Sequence, residues 1–395
     1  MPKIYLDYAA TTPTDKRVVT AMLPYFRKFF GNPSSLHSFG QEAKRAIEEA
    51  RRKVASLIGA EPEEIVFTSG GTEANNFALK GTAYSFRNHK IQIITSAIEH
   101  HSVLEPCKFL EKQGFKVIYL PVDEHSLVDL KKLEKVLTTE IVLVSIMFAN
   151  NEIGTIQPIQ EIAEIIRKFR SRQGLNNQLP YFHTDAVQAV GHLMIDVKRL
   201  GVDFLSLSGH KFYGPKGVGA LYVRKGIKIS SLLHGGEQEK GRRASTENVP
   251  GIVGLGVAAE IAVKNMTHEN ERLVKLRDEF VAGILNNIPK ARLNGHPTKR
   301  LANNINISIL GAEGEAMLLS LDEVGVACST GSACSSSTLE PSHVLTALGL
   351  PPEVAHSSLR FTLGRETKKE DLDYTLQQLV KIVERLRKIS PFGFR

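Results

Sequence analysis

Residues 203–217 read Asp-Phe-Leu-Ser-Leu-Ser-Gly-His-Lys-Phe-Tyr-Gly-Pro-Lys-Gly. A short apolar run, Asp203 to Leu207, stops against small residues, delivers His210 and Lys211, and closes in a turn rich in glycine and proline. Apolar runs of this length bounded by turn residues mark buried strands. Working outward, similar runs occur at Glu64 to Thr68, Ile91 to Thr95, Phe115 to Leu120, Ile141 to Met147, Tyr181 to Thr184 and Ala220 to Val223, with helical patterns between them. Strands alternating with helices predict right-handed crossovers and a mostly parallel sheet covered on both faces, an α/β fold whose ligands sit at the strand ends.

Ahead of the sheet, Ala43, Ala46, Ile47, Ala50, Val54, Leu57 and Ile58 repeat at helical spacing. Ser38 is placed to cap that helix, Gln41 to complete a capping box, and Gly59 to end it. A long helix over about Gly251 to Ile288 leads away from the sheet. Strand-like Asn304 to Ile309, helix-like Glu313 to Glu323, strand-like Leu359 to Leu363 and a closing helix from about Lys369 to Lys388 then predict a smaller α+β domain.

The chain has 395 residues, of which 42% are hydrophobic and 23% charged, enough for roughly two globular domains. Its formal charge of +8 is spread along the helices, with no run of like charges, so a nucleic-acid arm is not expected. No signal-peptide pattern opens the sequence and no window has the roughly 18 uninterrupted apolar residues of a membrane span, which predicts a cytosolic protein. Three cysteines and no Cys-x-x-Cys pair argue against a disulfide framework and against a structural zinc, so no metal site is expected.

Four segments carry chemistry. Ser69-Gly70-Gly71-Thr72-Glu73 follows a predicted strand and opens a helix, where free N–H groups and the helix dipole suit a phosphate; paired glycines at such turns also serve purely steric needs. Asp185, ending a buried strand in Phe182-His183-Thr184-Asp185-Ala186-Val187-Gln188, is placed either to meet a pyridinium nitrogen or to cap a helix. Lys211 follows a strand directly, as a Schiff-base lysine must, whereas Lys216 reads as a turn residue facing solvent. Cys334 lies in Cys328-Ser329-Thr330-Gly331-Ser332-Ala333-Cys334-Ser335-Ser336-Ser337-Thr338, a loop of small residues that leaves a thiol free to act as a nucleophile. Cys107 sits inside a predicted helix as a buried thiol. Cradle, acid and lysine together are what pyridoxal 5'-phosphate requires.

In this order, Thr-Ser-Gly-Gly-Thr-Glu, Glu99-His100, Ala149-Asn150-Asn151-Glu152, His-x-Asp-Ala-x-Gln, Ser-Gly-His-Lys and Gly-Ser-Ala-Cys resemble the cysteine desulfurases of the IscS/NifS class, from Tyr5 to about Ser390. The resemblance implies the fold of the type I pyridoxal-phosphate enzymes. It implies a large domain over 16–260 with a seven-stranded sheet, a small domain from 1–15 and 261–395 carrying a mobile loop at about 327–340, and a homodimer. It further implies a Schiff base on Lys211, Asp185 on the ring nitrogen, Gln188 on the ring hydroxyl, and Gly71, Thr72, Ser208 and His210 around the phosphate, with Thr246 reaching it from the other subunit. His100 would stack on the ring and handle protons, Arg360 with Asn151 would bind the substrate carboxylate, and Cys334 would take sulfur from L-cysteine as a persulfide, releasing alanine. Acceptors would be an iron–sulfur scaffold or a tRNA-thiolation enzyme. A selenocysteine lyase or an aminotransferase-like enzyme is the alternative. The chain departs from the family pattern in three places. Cys328 replaces a small aliphatic residue, as a buried thiol or as a resolving cysteine, a shared persulfide carrier or a metal contact. Arg243-Ala244-Ser245-Thr246 replaces Arg-Ser-Gly-Thr. The sequence ends at Arg395 without the longer tail with which relatives dock a scaffold, which makes delivery to that acceptor less secure than the reaction.

Overall fold

The computed structural model describes residues 3–87, 91–174, 179–330 and 341–389. Its centre is a seven-stranded sheet. Numbering strands along the chain after the short β1 (Ile4–Tyr5), these are β2 (Ile65–Thr68), β3 (Gln92–Ser96), β4 (Lys116–Leu120), β5 (Ile141–Ser145), β6 (Tyr181–Asp185), β7 (Phe204–Ser208) and β8 (Gly219–Val223). They lie in the order β2-β8-β7-β6-β5-β3-β4, and only β8 runs against its neighbours. All seven runs read from the sequence are strands, displaced by a residue or two at their ends.

These strands are apolar because both faces are covered. β2, β5, β6, β7 and β8 are buried throughout, with helices Ser38–Ile58 and Val249–Asn287 packed together on one side and Gly71–Ser85 and His101–Lys112 on the other. Val249–Asn287 is also long and apolar enough to cross a membrane, but 61% of its most apolar window is buried inside the chain.

Polar residues inside this layer hold the strands in register. His183, fully buried in β6, bridges Ser145 of β5 through Nδ1 at 2.8 Å and Ser206 of β7 through Nε2 at 3.0 Å. Asp203, just before β7, accepts the Phe182 N–H at 2.7 Å and the Arg224 guanidinium at 2.6 Å, so β6, β7 and the end of β8 share one carboxylate.

A second apolar cluster is built on β9 (Ala291–Leu293), β10 (Asn304–Ile309) and β12 (Ser358–Thr362), antiparallel in the order β12-β10-β9, with helices Gly314–Glu323 and Lys369–Ile389. The N-terminus joins it: β1 pairs in parallel with β11 (Val326–Ala327), and Asp7 bridges Thr362. The capping box read at Ser38 is not formed. The helix already begins at Ser38, His37 caps it, and Gln41 donates to the Ser35 carbonyl because the preceding loop folds back on the helix; Gly59 ends it in the left-handed conformation, as expected.

Burial pushes His183 down to about 3. Its unfolded value is about 6.5. The folded state therefore disfavours the proton, and the contribution of a neutral His183, complete above pH 6.5, is lost as pH falls toward 3. Between pH 7 and pH 5 urea denaturation should show a loss of about 2 kcal/mol from this residue alone. His183→Gln, which keeps partners for both hydroxyls, should remove that part of the pH dependence.

Candidate active site

The carboxyl ends of β2, β3, β5, β6 and β7 open into one cavity of about 240 Å³. β2 leads into Gly71 and Thr72 at the start of helix Gly71–Ser85. Gly70 has φ +154, which side chains rarely adopt, and a Cβ on Gly71 would lie 2.6 Å from Val187 Cγ2. Two glycines are thus required to bring the helix N-terminus, with its free N–H groups, to the cavity wall.

β6 ends in Asp185, 5% exposed; a turn follows it, so the helix cap read from the sequence is not formed. Oδ1 accepts the Val187 N–H at 3.0 Å as a turn cap, while Oδ2 accepts from Asn75 at 2.7 Å and the side chain lines the cavity. Gln188 follows in the next turn and donates to the Ala9 carbonyl at 3.0 Å. β7 ends in Ser208, and the tight turn Gly209–Lys211 carries His210 and Lys211 onto the same wall; Lys216 is exposed, as read from the sequence. Lys211 Nζ donates to the Ala10 carbonyl at 2.9 Å and to that of Ala9. Burial, followed by the charges of Lys211 and Lys216, holds His210 down to about 4, so it enters the site as a neutral ring.

His100 caps helix His101–Lys112 after β3. Burial lowers its pKa, opposed by Asp185 and reinforced by Lys211, and the ring is neutral at pH 7. Beneath it Glu99 is fully buried: Oε1 accepts the Ser96 hydroxyl at 2.6 Å and the Met147 N–H at 2.9 Å, tying the ends of β3 and β5, and burial pushes this carboxyl up to about 8. After β5, Asn150 holds a turn through the Glu152 and Ile153 N–H groups and presents Asn151 to the cavity.

Arg360 of β12 does not line the cavity. It lies behind Asn151, 2% exposed, donating to the Asn151 carbonyl at 3.1 Å and to Asp7 Oδ1 at 2.7 Å, with Nε lacking a partner among the described residues. Thr246 lines a separate cavity of about 260 Å³ with Ser69, and its neighbour Arg243 pairs with Glu73 of the glycine turn at 2.8 Å. Cys334 lies outside the described residues. Cys107 is fully buried, and Cys328, partly buried against the second apolar cluster, has its thiol pushed up to about 12 by burial; both are protonated thiols at neutral pH.

The sequence reading passed over residues 7–12. Asp7 meets Arg360, Ala9 and Ala10 offer carbonyls to Lys211, Thr11 Oγ1 lies 3.1 Å from His210 Nδ1, and the Thr12 hydroxyl accepts from Tyr213 N–H. The available signal was slight: an acid directly after the alternating Ile4-x-Leu6.

An aminotransferase class-V family model matches residues 4–375. The chain belongs to that family, on its cysteine desulfurase branch. It is 57% identical to the "Cysteine desulfurase IscS" of Dictyoglomus turgidum, over 99% of this chain and 97% of that one. Among solved structures it resembles a "NifS-like protein" at 40% identity and TM-score 0.90, covering 97% of this chain and all of that one. It also resembles "SspA in complex with cysteine" at 38% identity and TM-score 0.80, covering 91% and 99%. The family depends on pyridoxal phosphate, and the residues present fit it: a glycine-built helix N-terminus for the phosphate, a buried acid and a lysine on one cavity.

Asp7→Ala would leave the Arg360 charge buried without its counter-ion. Its unfolding free energy should fall by about 3 kcal/mol, the low end for breaking a buried pair because Asp7 is 17% exposed, as read by denaturant titration.

Proposed function

We propose that this site removes sulfur from L-cysteine, releases L-alanine and leaves a persulfide on Cys334. The observation that carries the reading is the convergence of Lys211 and Asp185, from neighbouring strands, on a cavity closed by a helix N-terminus. Pyridoxal phosphate, which Lys211 would hold as a Schiff base, would supply the electron sink needed for loss of the α-proton and cleavage of the Cβ–S bond. The chain's own residues do the rest. Gly71, Thr72, Ser208 and His210 hold the phosphate, joined by Thr246 from a partner subunit of a homodimer. Asp185 would hold a proton on the ring nitrogen and Gln188 would bond the ring hydroxyl. Lys211 would take the α-proton of the substrate, and His100, a neutral ring on the same cavity wall, would exchange protons there.

Asn151 on the cavity wall, and Arg360 directly behind it once drawn from Asp7, would receive the substrate carboxylate. A planar guanidinium is suited to a carboxylate, and Arg360 already carries one in Asp7. The Cys334 thiolate attacks the substrate sulfur; the S–S bond forms as the C–S bond breaks, so cysteine and thiol become alanine and persulfide with no external oxidant. The cofactor machinery falls in a large domain over 16–260 and Cys334 in a small one from 1–15 and 261–395. In the cytoplasm the persulfide passes to acceptor proteins such as an iron–sulfur scaffold or a tRNA-thiolation enzyme.

Incubation of the holoenzyme with L-cysteine, followed by mass-spectrometric peptide mapping, should find added sulfur on Cys334 and one alanine released per persulfide. Cys334→Ser should bind cysteine with unchanged affinity and form no persulfide. Unchanged turnover of cysteine by that variant would instead indicate an aminotransferase.

A further inference from the structure

Asp185 and His100 are joined through Asn75, which does not line the cavity, and Ser102, which does. Asn75, on helix Gly71–Ser85, is fully buried; its amide nitrogen donates to Asp185 Oδ2 at 2.7 Å and to Ser102 Oγ at 2.8 Å. Ser102 in turn meets His100 Nδ1 twice, through its hydroxyl at 2.8 Å and its backbone N–H at 3.1 Å.

The donor inventory leaves one assignment. An amide nitrogen only donates, so one lone pair of Ser102 Oγ is taken by Asn75 and its hydrogen is available to Nδ1. A backbone N–H also only donates. Nδ1 therefore faces two donors and carries no hydrogen, which places the proton of the neutral imidazole on Nε2. At the other end Asp185 Oδ2 accepts, as a carboxylate does. The amide cannot turn over, because its oxygen would then face that carboxylate; Asn75 Oδ1 accordingly has no partner among the described residues.

We propose that Asn75 and Ser102 form a positioning relay that links Asp185 to His100 and fixes His100 as the Nε2–H tautomer, with a proton to give to the cavity. His100 then enters the reaction as a donor, while Asp185 below keeps Oδ2 engaged as an acceptor. Use of that proton in catalysis rests on the function proposed above. Its location does not, and is measured without cofactor, so the two ideas fail separately.

The test is a long-range ¹H–¹⁵N spectrum of protein labelled in its histidine rings, with His100 assigned by its absence in His100→Gln. In the unaltered chain at neutral pH, Nδ1 should resonate as an unprotonated ring nitrogen and Nε2 as a protonated one. Asn75→Ala removes the donor that occupies Ser102 Oγ and lets the hydroxyl turn away from Nδ1, so the Nδ1 signal should move toward that of a ring nitrogen accepting from the backbone N–H alone. Asn75→Ala with Ser102→Ala leaves only the backbone donor and should set that limiting Nδ1 value, with Nε2 still protonated. A proton on Nδ1 or on both nitrogens in the unaltered chain, or an unchanged spectrum in Asn75→Ala, overturns the proposal. Should Asn75→Ala fail to fold, the near-isosteric Asn75→Leu takes its place, and the spectrum of the unaltered chain decides the tautomer by itself.

Discussion

The pairing of β6 with β7 is the constraint on which the site depends. Parallel neighbours lie about 4.8 Å apart, so whatever follows their carboxyl ends emerges side by side. Here Asp185 pairs with Ser206, and Lys211 stands one tight turn beyond the end of β7. A slip of one residue would turn Asp185 to the opposite face. Apolar packing alone resists this weakly in strands buried on both faces. His183, bonded to one hydroxyl on each flanking strand, and Asp203, shared by three strands, make the register specific, since a slip would orphan several buried polar groups at once.

The second constraint is charge. Arg360 belongs to the smaller sheet and lies buried behind the cavity, where its charge has to be compensated. Asp7 does this from the N-terminal segment, and the following residues give their carbonyls to Lys211. One short extended segment therefore touches the groups expected to bind the two ends of the substrate amino acid. The small sheet is thereby connected to the large one at the reacting centre itself.

Much of this was legible because it is local. Strands buried on both faces read as apolar runs, and chemistry in such a sheet collects just after them, which singled out Gly71, Asp185 and Lys211, whereas His100 was found through resemblance. What escaped was non-local. Asp7 meets Arg360 across 353 positions and Asn75 meets Asp185 across 110, and no period or turn signature encodes such pairs. The Ser38 cap failed for a related reason, since a loop that folds back recruited Gln41. Arg360 was found through resemblance, and its burial behind Asn151 could only come from the structure.

The central claim is that Lys211 is the residue to which the cofactor is joined, with Asp185 beside it. Borohydride reduction of the holoenzyme, digestion and peptide mapping test it most directly. The phosphopyridoxyl mass should be found on Lys211, in the peptide that continues through Phe212 and Tyr213. Its recovery on Lys216 or on a lysine outside this cavity, or no adduct at all on a fully loaded protein, would contradict the account.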